Sequence, residues 1–195
     1  MRLPLLRPAE LTAEQRPLYE SFEQMTQAEE YQGFEVRNSD GAFVGPWSVM
    51  LHFPDLAVPL GRFIAMAQKL DGVSERARQV VILTIGGRFD AAYELYAHTP
   101  LALRAGLRPD QIAALSAGTR PTDLGEDELL AADVATALTH GGAVPGPLYD
   151  AAVQGLGQRG FDTVVFIAVH YLTLATLLNA YDVPAEMPTT QTVQE

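Results

Sequence analysis

The chain of 195 residues contains no cysteine. That absence removes disulfide bridges, thiolate nucleophiles, thiolate metal sites and dithiol redox pairs together. It also fits a reducing, cytoplasmic setting. Basic residues are scarce: 13 Lys and Arg stand against 24 Asp and Glu, a net charge of −11. Such a chain repels phosphate backbones, so no nucleic-acid partner is expected. The N-terminus, "MRLPLLRPAELTAEQRPLY", has no uninterrupted apolar core and does not read as a signal peptide. The most apolar stretch, "FDTVVFIAVHYLTLATLLNAY" at 161–181, is punctuated by Asp162, His170 and Asn179. Its apolar run is too short to span a bilayer and reads as a core or interface helix, so no membrane partner is expected.

Alternating strand patterns, glycine-rich phosphate loops, low-complexity tracts and internal repeats are missing too. What remains is helical punctuation. Thr12 followed by Gln15 has the capping-box spacing at the head of an acid-rich first helix. Turn chemistry at Asn38 to Gly41 and at Gly45-Pro46 predicts a loop, then a short helix over about Trp47 to His52. Pro54 and Asp55 open the next helix, reaching about Lys69. Ser74 is a natural N-cap for a helix that is apolar nearly all round, and Gly86-Gly87 is expected to loosen its end. Asp90 is placed to cap the following helix, and Gly106 to end it in a left-handed turn.

"RPDQIAALSAG" and "EDELLAADVATALTHGG" read as two more helices. "VPGPLYDAAVQGLGQRG" is weakened by Gly155 and Gly157, and the apolar 161–181 segment ends by Pro184. About eight or nine short helices with brief links make an all-α, compact helical bundle. The expected organisation is an N-terminal helical extension over 1–39 packed on the core, a main helical domain over 40–184, and a polar, frayed tail over 185–195.

The candidate chemistry lies in "YELYAH". Glu94 and His98 are spaced i, i+4, which sets them on one helix face. A carboxylate there can orient the imidazole and raise its proton affinity, with His98 as the proton carrier. The bland alternative is an exposed helix ion pair. Pro100 removes the hydrogen bond to the Tyr96 carbonyl, so a kink after His98, or a restart with Thr99 as N-cap, is expected. Gln79 falls in an apolar row with Ile82, Leu83 and Gly86, and needs partners if buried.

Arg76, Arg78, Arg88 and Arg104 flank this region and can hold a small anion. His170 reads as a satisfied core histidine, His140 as a helix C-terminal residue, and His52 lies near a helix end. The ligand set for a metal is incomplete, so neither metal nor cofactor is expected. No nucleophile elbow supports Ser/His/Asp hydrolysis.

Taken in order, "DGAFVGPWSVMLHFPDLAVPLGRF", "SERARQVVIL", "YELYAHTPLALRAGL" and "VVFIAVHYLTLATLLNAYDVP" resemble the carboxymuconolactone decarboxylase family, which includes the alkyl hydroperoxidase D (AhpD)-like proteins. The resemblance runs from about Asp40 to Pro184. It implies an all-helical fold assembling as a homo-oligomer (dimer, trimer or hexamer) with sites near subunit contacts. In the AhpD branch a glutamate, a Cys-x-x-Cys pair and a histidine form a proton relay and redox pair. Carried over by position, the glutamate falls on Gln79, the cysteines on Ala91 and Glu94, and the histidine on His98. Only the histidine matches, and thiol peroxidase chemistry needs a thiolate.

The resemblance therefore implies the decarboxylase-type branch: cofactor-free, lyase-type acid/base chemistry on a small carboxylated compound. His98 and Glu94 would be catalytic, and Gln79, Arg78 and Tyr96 would line the substrate site. A non-catalytic, ligand-binding member is the alternative, as is a peroxide-defence protein working through a partner's thiols.

Overall fold

The computed structural model describes residues 1–185. Among them the regular structure is helical, with a single isolated bridge between Arg37 and Phe43 and no strand. The polar tail from 186 onward lies outside the described residues. Eight α-helices follow in order: α1 (Gln15–Met25), α2 (Gly45–Met50), α3 (Pro54–Gln68), α4 (Glu75–Phe89), α5 (Ala92–Arg104), α6 (Pro109–Ser116), α7 (Glu126–His140) and α8 (Gly146–Ala180). Short 3-10 turns occur at Pro8–Glu10 and Glu29–Tyr31.

The axis of the fold is α4, which packs against α5, α6, α7 and α8. Its residues Val80, Val81, Ile82, Leu83 and Ile85 are fully buried. Each such side chain contributes about 1.5–3 kcal/mol by leaving water, and that outweighs the poor helix propensity of β-branched residues. The expected N-cap is in place, with the Ser74 hydroxyl accepting the Ala77 N–H at 3.1 Å. The Thr12/Gln15 pair also bonds reciprocally, at 3.0 and 3.3 Å, just ahead of α1.

Several local expectations are corrected. Gly86-Gly87 does not loosen α4, which runs on to Phe89. Gly87 instead permits close approach to α6, since a Cβ there would sit 2.1 Å from the Leu115 carbonyl oxygen. Asp90 closes α4 in the left-handed conformation (φ 49°) rather than capping α5, whose N-cap is Ala91. Pro100 does not break α5, and Thr99 does not restart it; the Thr99 hydroxyl donates back to the Leu95 carbonyl at 2.7 Å. The two segments expected over 146–181 join into α8, interrupted only at Gly157 (φ 71°). By length and composition α8 would suffice to cross a membrane. Here it supplies core residues such as Val164, Ile167 and Ala168, packed with α4 and α7.

The N-terminal segment is continuous with the core. Leu18, Tyr19 and Phe22 of α1 share one apolar cluster with Phe43, Trp47 and Tyr93. Phe43 meets Tyr19 and Phe22 edge-on, at centroid distances of 4.9 and 5.7 Å. Beyond α1 the chain is tied to α5 at residues 32–35. The Glu35 carbonyl accepts from the Tyr93 hydroxyl at 2.6 Å, the Glu35 N–H donates to the Tyr96 hydroxyl at 3.0 Å, and Arg104 donates to the Gln32 carbonyl at 2.8 Å. These bonds hold the N-terminal segment against α5 as a cover, and a cavity lies between it and α4, α5 and α8.

Candidate functional site

The cavity has a volume of about 650 Å³. The cover supplies Phe22, Met25, Tyr31 and Phe34, and α2 adds Trp47 and Met50. Most of the polar groups come from α4, α5 and α8, with Glu29 and Gln68 added from the cover and α3. Along α4, Glu75, Arg78, Gln79 and Ile82 recur at three, four and seven residues, one helical face turned to the cavity. Along α5 the same rule presents Glu94, His98 and Leu101. From α8 come His170, Tyr171 and Leu174. A pocket of this size, apolar and aromatic with few convergent polar groups, has the form of a small-molecule site.

Glu94 and His98 share this wall, as their spacing predicts, but they are not hydrogen-bonded to each other. The His98 Nδ1 lies 2.9 Å from Gln79 Oε1, and Gln79 Nε2 donates to Glu75 Oε1 at 2.7 Å. The His98 ring stands edge-on to Tyr171, with centroids 5.0 Å apart at 88°. Both carboxyl oxygens of Glu94 are buried without a hydrogen-bonding partner among the described residues. The expected carboxylate orienter is thus replaced by an amide: Gln79, not Glu94, fixes the imidazole.

The environment sets the charge states. Burial raises the Glu94 carboxyl well above its ordinary value of 4.5, so the neutral acid is favoured. Burial lowers His98 from 6.5 to about 3, with a smaller contribution from the nearby His170. His170 is itself lowered to about 4, chiefly by burial and then by the charge of Arg78. Burial thus favours the neutral carboxylic acid at Glu94 and neutral imidazoles at His98 and His170.

Other candidates fall where the sequence did not put them. His170 is buried, but its Nε2 has no hydrogen-bonding partner among the described residues, so it is a cavity residue rather than a satisfied core histidine. Its orphaned ring nitrogen was not legible in an apolar helix pattern, and neither was the lining role of Tyr171 and Glu75. Tyr96 is not among the lining residues; its hydroxyl secures the cover through Glu35.

Arg78 and Arg104 line the cavity, while Arg76 is taken up by Glu128 and the Gly106 carbonyl, and Arg88 by His140. Arg78 also lies 3.4 Å from Glu75 and donates to the Leu70 carbonyl at 2.5 Å. His52 and His140 lie outside the cavity: His52 Nε2 is 2.9 Å from the Pro4 carbonyl, and His140 Nδ1 is 2.8 Å from that of Thr136. No cluster of three or more metal-ligating side chains occurs among the described residues.

No family model matches the sequence, and no curated protein matches it. A solved structure does share its architecture. The debrominase Bmp8, crystallised as a cysteine-to-alanine variant in complex with 2,3,4-tribromopyrrole, superimposes with a TM-score of 0.69 at 16% identity. The match covers 94% of this chain and 92% of that one. The chain thus has an all-α fold of the AhpD-like type.

Proposed function

We propose that the cavity binds a small carboxylated ring compound and that Glu94 and His98 move protons on it, in the manner of a cofactor-independent lyase. The observation that carries this reading is a pair of titratable groups on one cavity wall, driven in opposite directions by burial. Glu94 is favoured as the acid and His98 as the base. The roles differ from those expected from spacing, which made Glu94 the orienter of a charged His98.

In a lyase-type reaction Glu94 donates its proton to the substrate carbonyl as the neighbouring carbon–carboxylate bond breaks. Carbon dioxide leaves and an enol remains. His98 takes the enol O–H proton and returns it to the carbon that bore the carboxylate, and Glu94 recovers its own proton from solvent. The largely apolar walls lower the local dielectric and strengthen each of these interactions. Arg78 and Arg104 are the cavity cations available to a substrate carboxylate.

The bound pyrrole of the debrominase is a small ring, and a compound of that size suits the aromatic wall of Trp47 and Tyr31. Dehalogenation through the protein's own thiol has no nucleophile in a chain without cysteine.

The test is carbon dioxide release from a panel of lactone carboxylates. Trp47, the chain's one tryptophan, lines the cavity and reports binding by its fluorescence. Release is expected with the wild-type protein and should fall by about 10²–10⁴ in His98→Asn, with binding retained. Equal release by the variant overturns the reading.

A further inference from the structure

The chain Glu75–Gln79–His98 ends on a residue to which neither sequence nor resemblance gave a role. We infer that Glu75, acting through the Gln79 amide, fixes His98 as the Nδ1–H tautomer, so that Nε2 is the atom that accepts a proton from the substrate. This rests on the reading that His98 works on a compound in the cavity.

The chemistry is least ambiguous at the Glu75 end. An ionised carboxylate can only accept hydrogen bonds. Arg78 Nε lies 3.4 Å from Glu75 Oε2, and the Glu75 side chain is 61% exposed. The group 2.7 Å from Glu75 Oε1 must therefore be a donor, and on Gln79 that is the NH₂. With NH₂ committed to Glu75, the other end of the amide is a carbonyl oxygen.

That oxygen is the atom 2.9 Å from His98 Nδ1, and a carbonyl cannot donate. Nδ1 must carry the hydrogen. In the neutral ring Nε2 then has a lone pair and no proton. Reversing the amide would set its oxygen against the carboxylate and lose a charge-assisted bond. The burial of Gln79 (3% exposed) leaves little water to compensate.

This assigns Glu75 and Gln79 as positioning residues and gives the substrate a requirement. The group that meets Nε2 must bring a proton, either an O–H or a C–H acidified by an adjacent carbonyl. When that bond breaks, its electron pair stays on the substrate and the proton forms the Nε2–H bond. The resulting imidazolium keeps its Nδ1–H donated to Gln79.

Imidazole ¹⁵N NMR of the wild-type protein and of Glu75→Gln tests the assignment without any substrate. Glu75 is exposed enough for the substitution to leave folding intact. The wild-type His98 should show a protonated Nδ1 and an unprotonated Nε2 at neutral pH. Glu75→Gln can donate as well as accept, so it should release the amide and populate the Nε2–H tautomer, with kcat falling more than KM rises. A wild-type spectrum with Nε2 protonated overturns the inference. So does a tautomer ratio that Glu75→Gln does not move. If the ¹⁵N pattern is as stated and no compound is turned over, the tautomer control stands and the catalytic reading fails.

Discussion

At the residue scale the decisive fact is that Glu94 sits where a carboxylate is costly. Both oxygens lack hydrogen-bonding partners among the described residues, and burial raises the pKa. Between the unfolded value of 4.5 and the raised folded value, the unfolded chain is ionised while the folded chain still holds its proton. The stability linked to Glu94 is thus full below pH 4.5 and declines as pH rises toward the folded pKa. Glu94→Gln does not titrate. Its stability relative to wild type should therefore increase from pH 5 to pH 8, read as the difference in urea midpoint at the two values. A difference that is constant or shrinks would show that Glu94 is not held neutral.

His98 and His170 act in the opposite window. Their folded values of about 3 and 4 lie below 6.5, so the stability they contribute is full above 6.5 and is lost as pH falls. Glu94 and His98 could be picked out of the sequence because i, i+4 spacing fixes a shared face. Their protonation states could not, because they depend on walls contributed by α1, α2 and α8. The partner of His98 was hidden for the same reason: it lies 19 positions away on another helix.

At the element scale most helices were readable from their ends. Ser74, Gly106 and Pro109 stop or start helices as their local chemistry requires. The errors share a cause, in that tertiary packing overrode a local signal. Gly86-Gly87 looks like a breaker in isolation, yet α4 continues because it is enclosed by four other helices. Pro100 survives within α5 because the flanking Tyr93, Ala97 and Ala102 are buried and hold the segment. The same logic gives Gly87 a measurable role. A methyl group there would meet the backbone of α6 at Leu115, which cannot swing aside as a side chain would. Gly87→Ala should destabilise the fold by roughly 1–3 kcal/mol, read from urea unfolding, although it improves helix propensity. A neutral or stabilising result would mean that α4 and α6 are not in contact at this point.

At the scale of the whole molecule, the sequence correctly indicated an all-α bundle, and the ordered motifs indicated its type. It did not indicate a cavity roofed by the N-terminal segment. That depends on Tyr93, Tyr96 and Arg104 reaching back to residues 32–35, contacts between positions about sixty to seventy apart in the chain. Tyr96 was expected to line the substrate site, and in the structure its hydroxyl instead anchors this segment at Glu35. Enclosure is also what gives the floor its chemistry, because the same side chains in water would have ordinary proton affinities. Site and fold are therefore linked: burial in the folded chain favours the neutral acid at Glu94 and the neutral base at His98.

The central claim is that His98 accepts a proton from a compound in this cavity. Its most direct test is exchange of the α-hydrogens of a γ-lactone with D₂O, followed by ¹H NMR, while Trp47 fluorescence confirms occupancy. The account predicts exchange catalysed by the wild-type protein and slowed by about 10²-fold or more in His98→Asn. Equal exchange rates in the two proteins, or no catalysed exchange by the wild type with the lactone bound, would contradict it.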